Sequence, residues 1–314
     1  MRREFVIGIC VALATIAPAC TPVAAAVQVA PRAEAEYPSL VTAATRANAK
    51  RLAELQASGE VLWHDDFEAA SSLARYFEVR GADDGRATID KDASHAHSGN
   101  GALHLIAPAK DGASSGAGVS AWFGEHGRER VYLRYYQRYA ADYDQGHLNH
   151  TGAHLVGAAG DNKWAGMGSA GIRPTGADHF STSFEAWRDW GRIAAPGAAH
   201  LYTYWMDMKV DRDGHFWGNM LQPEVDARVV LERDRWYCFE LMIKTNDVGR
   251  ANGELAAWID GALFLHYVDF RWRADAAVLL KRFGLDIYVH KATRTNEAWY
   301  DDVVLSTGYV GPLK

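Results

Sequence analysis

The chain is short of cysteine, proline and positive charge, and each shortage excludes a class of protein. It has three cysteines: Cys10 and Cys20 near the N-terminus and Cys238 alone in the body of the chain. One thiol cannot form an internal disulfide, so nothing staples the fold. Cys238 lies in the strand-like run Trp236-Tyr-Cys-Phe-Glu-Leu-Met-Ile243 and reads as a small buried apolar residue. No Cys or His partner stands at zinc-ligand spacing from it. The formal net charge is −6. No basic stripe with interleaved aromatics is present, so a nucleic-acid partner is not expected. Phosphate loops, dinucleotide fingerprints and internal repeats are also missing, and no cofactor is expected.

Long apolar runs are missing too, apart from the N-terminus. Met1-Arg-Arg3 is a basic start, Phe5 to Ala19 is mostly apolar, and Ala24-Ala25-Ala26 offers small residues for cleavage. That order reads as an export signal over residues 1–26. The apolar stretch is too short to span a bilayer. Ala17-Pro18-Ala19-Cys20 is a loose lipoprotein cleavage box, which makes Cys20 a candidate lipid anchor. The expected location is therefore secreted, periplasmic or membrane-anchored. Residues 27–60 read as a tether, with a short helix over Thr42 to Gln56 that carries Leu52 and Leu55 on one side.

What the chain has in quantity is aromatic residues: 11 Trp, 14 Tyr and 11 Phe against 9 Pro. From Val61 to the C-terminus the pattern is that of strands separated by Gly- and Asp-rich turns. Glu129 to Tyr139 alternates so that Arg134, Tyr136 and Arg138 share one face and Tyr135, Gln137 and Tyr139 the other. Asp260-Gly261 joins two runs as a hairpin. Further strands are expected over Gly99–Ile106, Arg235–Lys244, Phe283–His290 and Trp299–Thr307. Gly146 to Thr175 is Gly-rich and reads as a long irregular segment, of the kind that often carries function. The grammar predicts an all-β sandwich over 61–314 with a short N-terminal helical lead-in.

Within His200-Leu-Tyr-Thr-Tyr-Trp-Met-Asp-Met-Lys209, also read as a strand, Tyr202 and Tyr204 project from one face. A phenol, with an ordinary pKa near 10, can give or take a proton once its surroundings tune it. The alternative is that the two rings simply pack against cross-strand neighbours.

Several segments together resemble the jelly-roll polysaccharide lyases, the group that includes the family 14 alginate and glucuronan lyases. They are Asp65-Asp-Phe-Glu68, Ser98-Gly-Asn-Gly-Ala-Leu-His-Leu105, Val131-Tyr-Leu-Arg-Tyr-Tyr136, Gly152-Ala-His-Leu-Val-Gly157, Phe180-Ser-Thr-Ser-Phe-Glu-Ala-Trp187, Tyr202-Thr-Tyr204, Trp258-Ile-Asp-Gly261 and the ending Trp299 to Pro312. The resemblance covers roughly residues 61 to 312. It implies a concanavalin A-like β-jelly-roll and β-elimination on an acidic, uronic-acid-containing polysaccharide. By position, Tyr202 and Tyr204 match the family's tyrosine pair and Ser181 its serine. The family's lysine position falls on His154 and its arginine position on Ser183.

Such an elimination needs a base, an acid and a cation against the sugar carboxylate. Tyr202 or Tyr204 is expected as acid, with His154 as the alternative base, because imidazole titrates near pKa 6.5. His147, His150 and His179 surround His154 in sequence, but their spacing fits no strong zinc pattern, and no metal is expected. Arg134, Arg173 and Lys209 are the candidate cations, Trp187 a candidate stacking platform and Asn219 a candidate donor to sugar hydroxyls. Two other functions remain open: a non-catalytic carbohydrate-binding jelly roll, and a glycoside hydrolase using a carboxylate pair such as Glu185 and Asp207.

Overall fold

The computed structural model describes residues 30–34, 38, 50–124, 127–146 and 148–313. The expected signal segment, Cys20 and His147 lie outside the described residues, as does most of the tether. No helix among the described residues is long and apolar enough to cross a membrane.

The expected all-β architecture is present as two antiparallel sheets packed face to face. The first has nine strands in the order β1 (Arg32–Ala33), β15 (Ala262–Phe270), β14 (Gly253–Ile259), β13 (Trp236–Lys244), β7 (Arg130–Tyr139), β17 (Asn296–Ser306), β5 (Ala102–Ala107) and β4 (Ala87–Asp90), with β2 (Val61–Asp65) also paired to β17. The second has eight: β11 (Asn219–Leu221), β10 (Gly197–Tyr204), β9 (His179–Trp187), β8 (Asn149–Ala158), β16 (Leu279–Val289), β6 (Ser115–Trp122) and β3 (Glu78–Arg80), with β12 (Val230–Leu231) on β10. One helix, α1 (Arg51–Ala57), leads in and buries Leu55 against Val304 and Val310.

Alternation builds the core. Leu155 of β8, Phe184 of β9, Leu201 of β10 and Leu285 of β16 point inward against Tyr135, Phe239 and Tyr300 from the first sheet. Each large apolar side chain taken fully out of water contributes about 1.5–3 kcal/mol. The Asp260-Gly261 hairpin forms as expected, with φ of 51° and 77° at the two turn residues.

Two sequence expectations are corrected. The stretch from Gly146 to Thr175 is not irregular throughout, because Asn149–Ala158 forms β8 in the middle of the second sheet. Its glycines admit close packing: a Cβ on Gly157 would lie 2.2 Å from the Phe180 ring. The part after β8 remains a loop. The strand expected over His200–Lys209 ends at Tyr204. Beyond it Asn219 pins the chain from its own side chain, accepting from Lys209 N (2.7 Å) and donating to Lys209 O (3.0 Å).

Candidate active site

The outer face of the second sheet is polar where its inner face is apolar, and its register arranges side chains in rows across the strands. One row reads Glu185, Gly152, Asp286, Gly118. The next reads Tyr202, Ser183, His154, Gly284, Ser120. A third reads Tyr204, Ser181, Val156, Arg282, Trp122. Neighbouring strands lie about 4.8 Å apart, so Tyr202 and His154 stand about 10 Å apart at their backbones, with only the small Ser183 between them. That gap forms the floor of a cavity of about 280 Å³ lined by both tyrosines, His150, His154, His179, Ser181, Ser183 and Arg282. Ala165 to Ala170 of the loop after β8 line it too.

Within this cavity the tyrosine hydroxyls lie 3.3 Å apart, with the rings edge to face at 5.5 Å. Burial, reinforced by the hydrogen bond to Tyr204, pushes the Tyr202 phenol far above its ordinary value, so it stays protonated. His150 packs against Tyr202 with ring centroids 5.2 Å apart, and its Nδ1 lies 3.0 Å from Glu185 Oε2. Burial alone would lower the His150 pKa, but the charge and hydrogen bond of Glu185 outweigh it and raise it.

His154 lies across Gly284, where a Cβ would come within 2.3 Å of its Cε1. Its Nδ1 is 2.9 Å from Asp286 Oδ2. Asp286 also accepts from Arg80 Nη2 at 2.9 Å. Burial pushes the Asp286 carboxyl up, yet His154, Arg80 and Arg282 together hold it below the usual carboxylate range. An anion beside Nδ1 favours the proton there and leaves the Nε2 lone pair for a proton from outside.

The structure thus brings together Tyr202, Tyr204, His154 and Ser181, and separates the rest of the expected site. Arg134 is fully buried on β7, in the other sheet, with its guanidinium 5.3 Å from the Tyr136 ring and beside Glu240, which accepts from Val310 N and Gly311 N of the C-terminal segment. Alternation gave its face correctly, but that face is covered and belongs to the wrong sheet, so Arg134 cannot meet a substrate in this cavity. Arg173 is exposed and stands over the Phe216 ring at 5.3 Å, outside the cavity lining. Lys209 and Asn219 line a different cavity of about 510 Å³ with Trp217 and Tyr267. Asn219 pairs with Thr203, whose side chain is buried, which turns it away from the tyrosine face. Trp187 shares the outer face of β9 but meets Trp190 edge to face at 6.1 Å, away from the cavity lining. Asp207 is taken by a two-pronged ion pair with Arg271 at 2.6 Å.

Sequence reasoning missed Arg282 and Asp286, and weighed His150 only as a metal ligand. A signal was present: over Leu279–Val289, Arg282, Gly284, Asp286 and Tyr288 alternate with Phe283, Leu285 and Ile287. A glycine among polar outward positions marks a place where a neighbouring side chain lies flat.

No protein-family profile matches the chain, and no curated protein matches it. Solved structures do. The fold is the β-jelly-roll shared by alginate and glucuronan lyases. The PL-14 alginate lyase from Aplysia kurodai superposes with a TM-score of 0.58 at 15% identity, over 79% of this chain and 99% of that one. The endo-beta-1,4-glucuronan lyase from the fungus Trichoderma reesei gives 0.54 at 17% identity, over 79% and 96%. A variant of the alginate lyase Aly36B in complex with alginate trisaccharide gives 0.54 at 16% identity, over 77% and 92%.

Proposed function

We propose that the protein is a polysaccharide lyase that cleaves an acidic, uronic-acid-containing polysaccharide by β-elimination. The observation that carries this reading is that Tyr202, Tyr204 and His154 line one cavity, with only Ser183 between Tyr202 and His154 in the sheet register. His154 Nε2 takes the C5 proton. The electron pair of that bond forms the C4–C5 double bond as the C4–O4 bond breaks. Tyr202, kept protonated by burial, gives its proton to the departing O4. Tyr204 holds the Tyr202 hydroxyl in place from 3.3 Å. Alginate and glucuronan are the first substrates to test, because the solved structures named above include lyases of both. The export signal read over residues 1–26 makes an exported enzyme of this proposal, checked by the N-terminal sequence of the mature protein.

Incubation with alginate, glucuronan and glycosaminoglycans, followed by ultraviolet absorbance of the unsaturated uronate, tests the reaction. Absorbance rising together with reducing ends supports elimination. Reducing ends without absorbance would instead indicate hydrolysis. Glu185 and Asp286 lie in one row on either side of Gly152 and would then be the carboxylate pair to examine. Binding with neither signal would leave a carbohydrate-binding protein.

A further inference from the structure

We propose that Arg282 binds and neutralises the sugar carboxylate, and that it makes this cavity selective for uronates over neutral sugars. The inference takes its substrate class from the lyase reading, but its geometry stands apart from the chemical step. Arg282 is the one Lys or Arg among the described residues that line the tyrosine cavity. It lies in the same row as Tyr204 and Ser181, and one strand from His154.

Its guanidinium is fixed before any ligand arrives. Nη1 donates to the carbonyl of Lys163 at 2.7 Å and Nη2 to that of Ala165 at 3.3 Å. The residue is 6% exposed, yet Nε is buried and makes no hydrogen bond. The two carbonyls engage two of its five N–H groups, which leaves donors for a carboxylate entering the cavity that the residue lines. Burial lowers the Arg282 pKa against the opposing pull of Asp286 and Glu78, and a guanidinium stays charged through such a change. A partly dehydrated guanidinium hydrogen-bonds a carboxylate more strongly than a hydroxyl. Other cations are excluded by place: Arg134 is interior, Arg173 and Lys209 lie outside the lining, and Arg80 is held by Asp286 and the Ala117 carbonyl. The loop after β8 therefore positions the selecting group through two main-chain carbonyls.

The test uses calorimetric binding to Tyr202→Phe protein, in which turnover is slowed. The probes are tetraglucuronate and alginate tetrasaccharide, each beside its carboxyl-reduced neutral counterpart. At least one uronate oligomer is expected to bind about 10- to 100-fold more tightly than its reduced form. Arg282→Met should erase that difference, and Arg282→Lys should keep only part of it, since an ammonium presents its donors from one point and lacks the planar fork that meets a carboxylate with two bonds. Equal binding of acidic and reduced oligomers to protein with Arg282 intact would overturn the inference without any Arg282 variant. So would an undiminished difference in folded Arg282→Met protein. Charge discrimination that depends on Arg282, with no unsaturated product from wild type, would sink the lyase reading and leave this one standing. Normal cleavage by Arg282→Met would do the reverse.

Discussion

Asp286 Oδ2 lies 2.9 Å from His154 Nδ1, although the two residues stand on different strands and diagonally across the register. Their contact passes beside Gly284 and Gly152, which present no side chains. The imidazole is thereby tethered at one nitrogen and open at the other. His154→Gln is expected to lower kcat/KM by about 10²- to 10⁴-fold, the usual worth of a positioned proton acceptor. Asp286→Asn should cause a smaller loss. Because the Asp286 carboxyl is held below its ordinary range, it contributes stability above that range and loses it as pH falls through the folded value. Acid unfolding followed by circular dichroism should therefore be less steep in Asp286→Asn below about pH 4.

Gly284→Ala tests the same contact by crowding it. The added methyl would sit 2.3 Å from His154 Cε1 and 3.0 Å from the Val119 carbonyl oxygen. The ring must swing away, since the strand backbone below cannot. Activity should drop toward the level of His154→Gln, with a stability loss of about 1–3 kcal/mol in urea titrations. Activity near wild type would show that the His154 position is dispensable.

Tyr202→Phe and Tyr204→Phe separate the roles of the paired hydroxyls. Tyr202 is the proposed proton donor, so its loss should cost about 10²- to 10⁴-fold in kcat. Tyr204 acts through Tyr202, and its loss should be milder and fall mainly on kcat. Each removes one partly exposed hydroxyl, so melting curves should move by no more than about 1 kcal/mol. Burial raises the Tyr202 pKa, so any decline in rate below about pH 10 must come from another group. An alkaline limb that vanishes in Tyr202→Phe would contradict this.

The His150–Glu185 pair should mark the stability profile. The His150 pKa is raised in the folded state, so its contribution is full below about pH 6.5 and fades as pH climbs through the folded value. Urea unfolding at pH 6 and pH 9 should show a fall for wild type that shrinks in His150→Gln. An identical fall in both proteins would place the titration elsewhere.

The strand grammar of residues 61–312 was legible because alternation and turn chemistry are local properties. Tyr202 and Tyr204 share a face for the same reason, and so do Arg134 and Tyr136. The Asp260-Gly261 turn could be read from two residues. β8 was not legible as a strand, because Gly152 and Gly157 look like loop residues until Phe184 and Phe180 are seen packed against them. Lys209 looked like a site residue because it lies close in sequence to the tyrosines, and Asn219 because its amide suits sugar hydroxyls. A turn of the chain after Tyr204 takes them to another cavity.

By itself the sequence determined which side chains alternate together on each strand, and hence an aromatic, unstapled β sandwich with paired phenols on one face. Only the tertiary structure decided which strands are neighbours and which faces are covered. That choice placed Arg134 beneath the C-terminal segment and Arg282 beside the tyrosines. The period of two along a strand fixes the parity of a side chain, while sheet order and packing, set by contacts far apart in the chain, fix what that side chain meets.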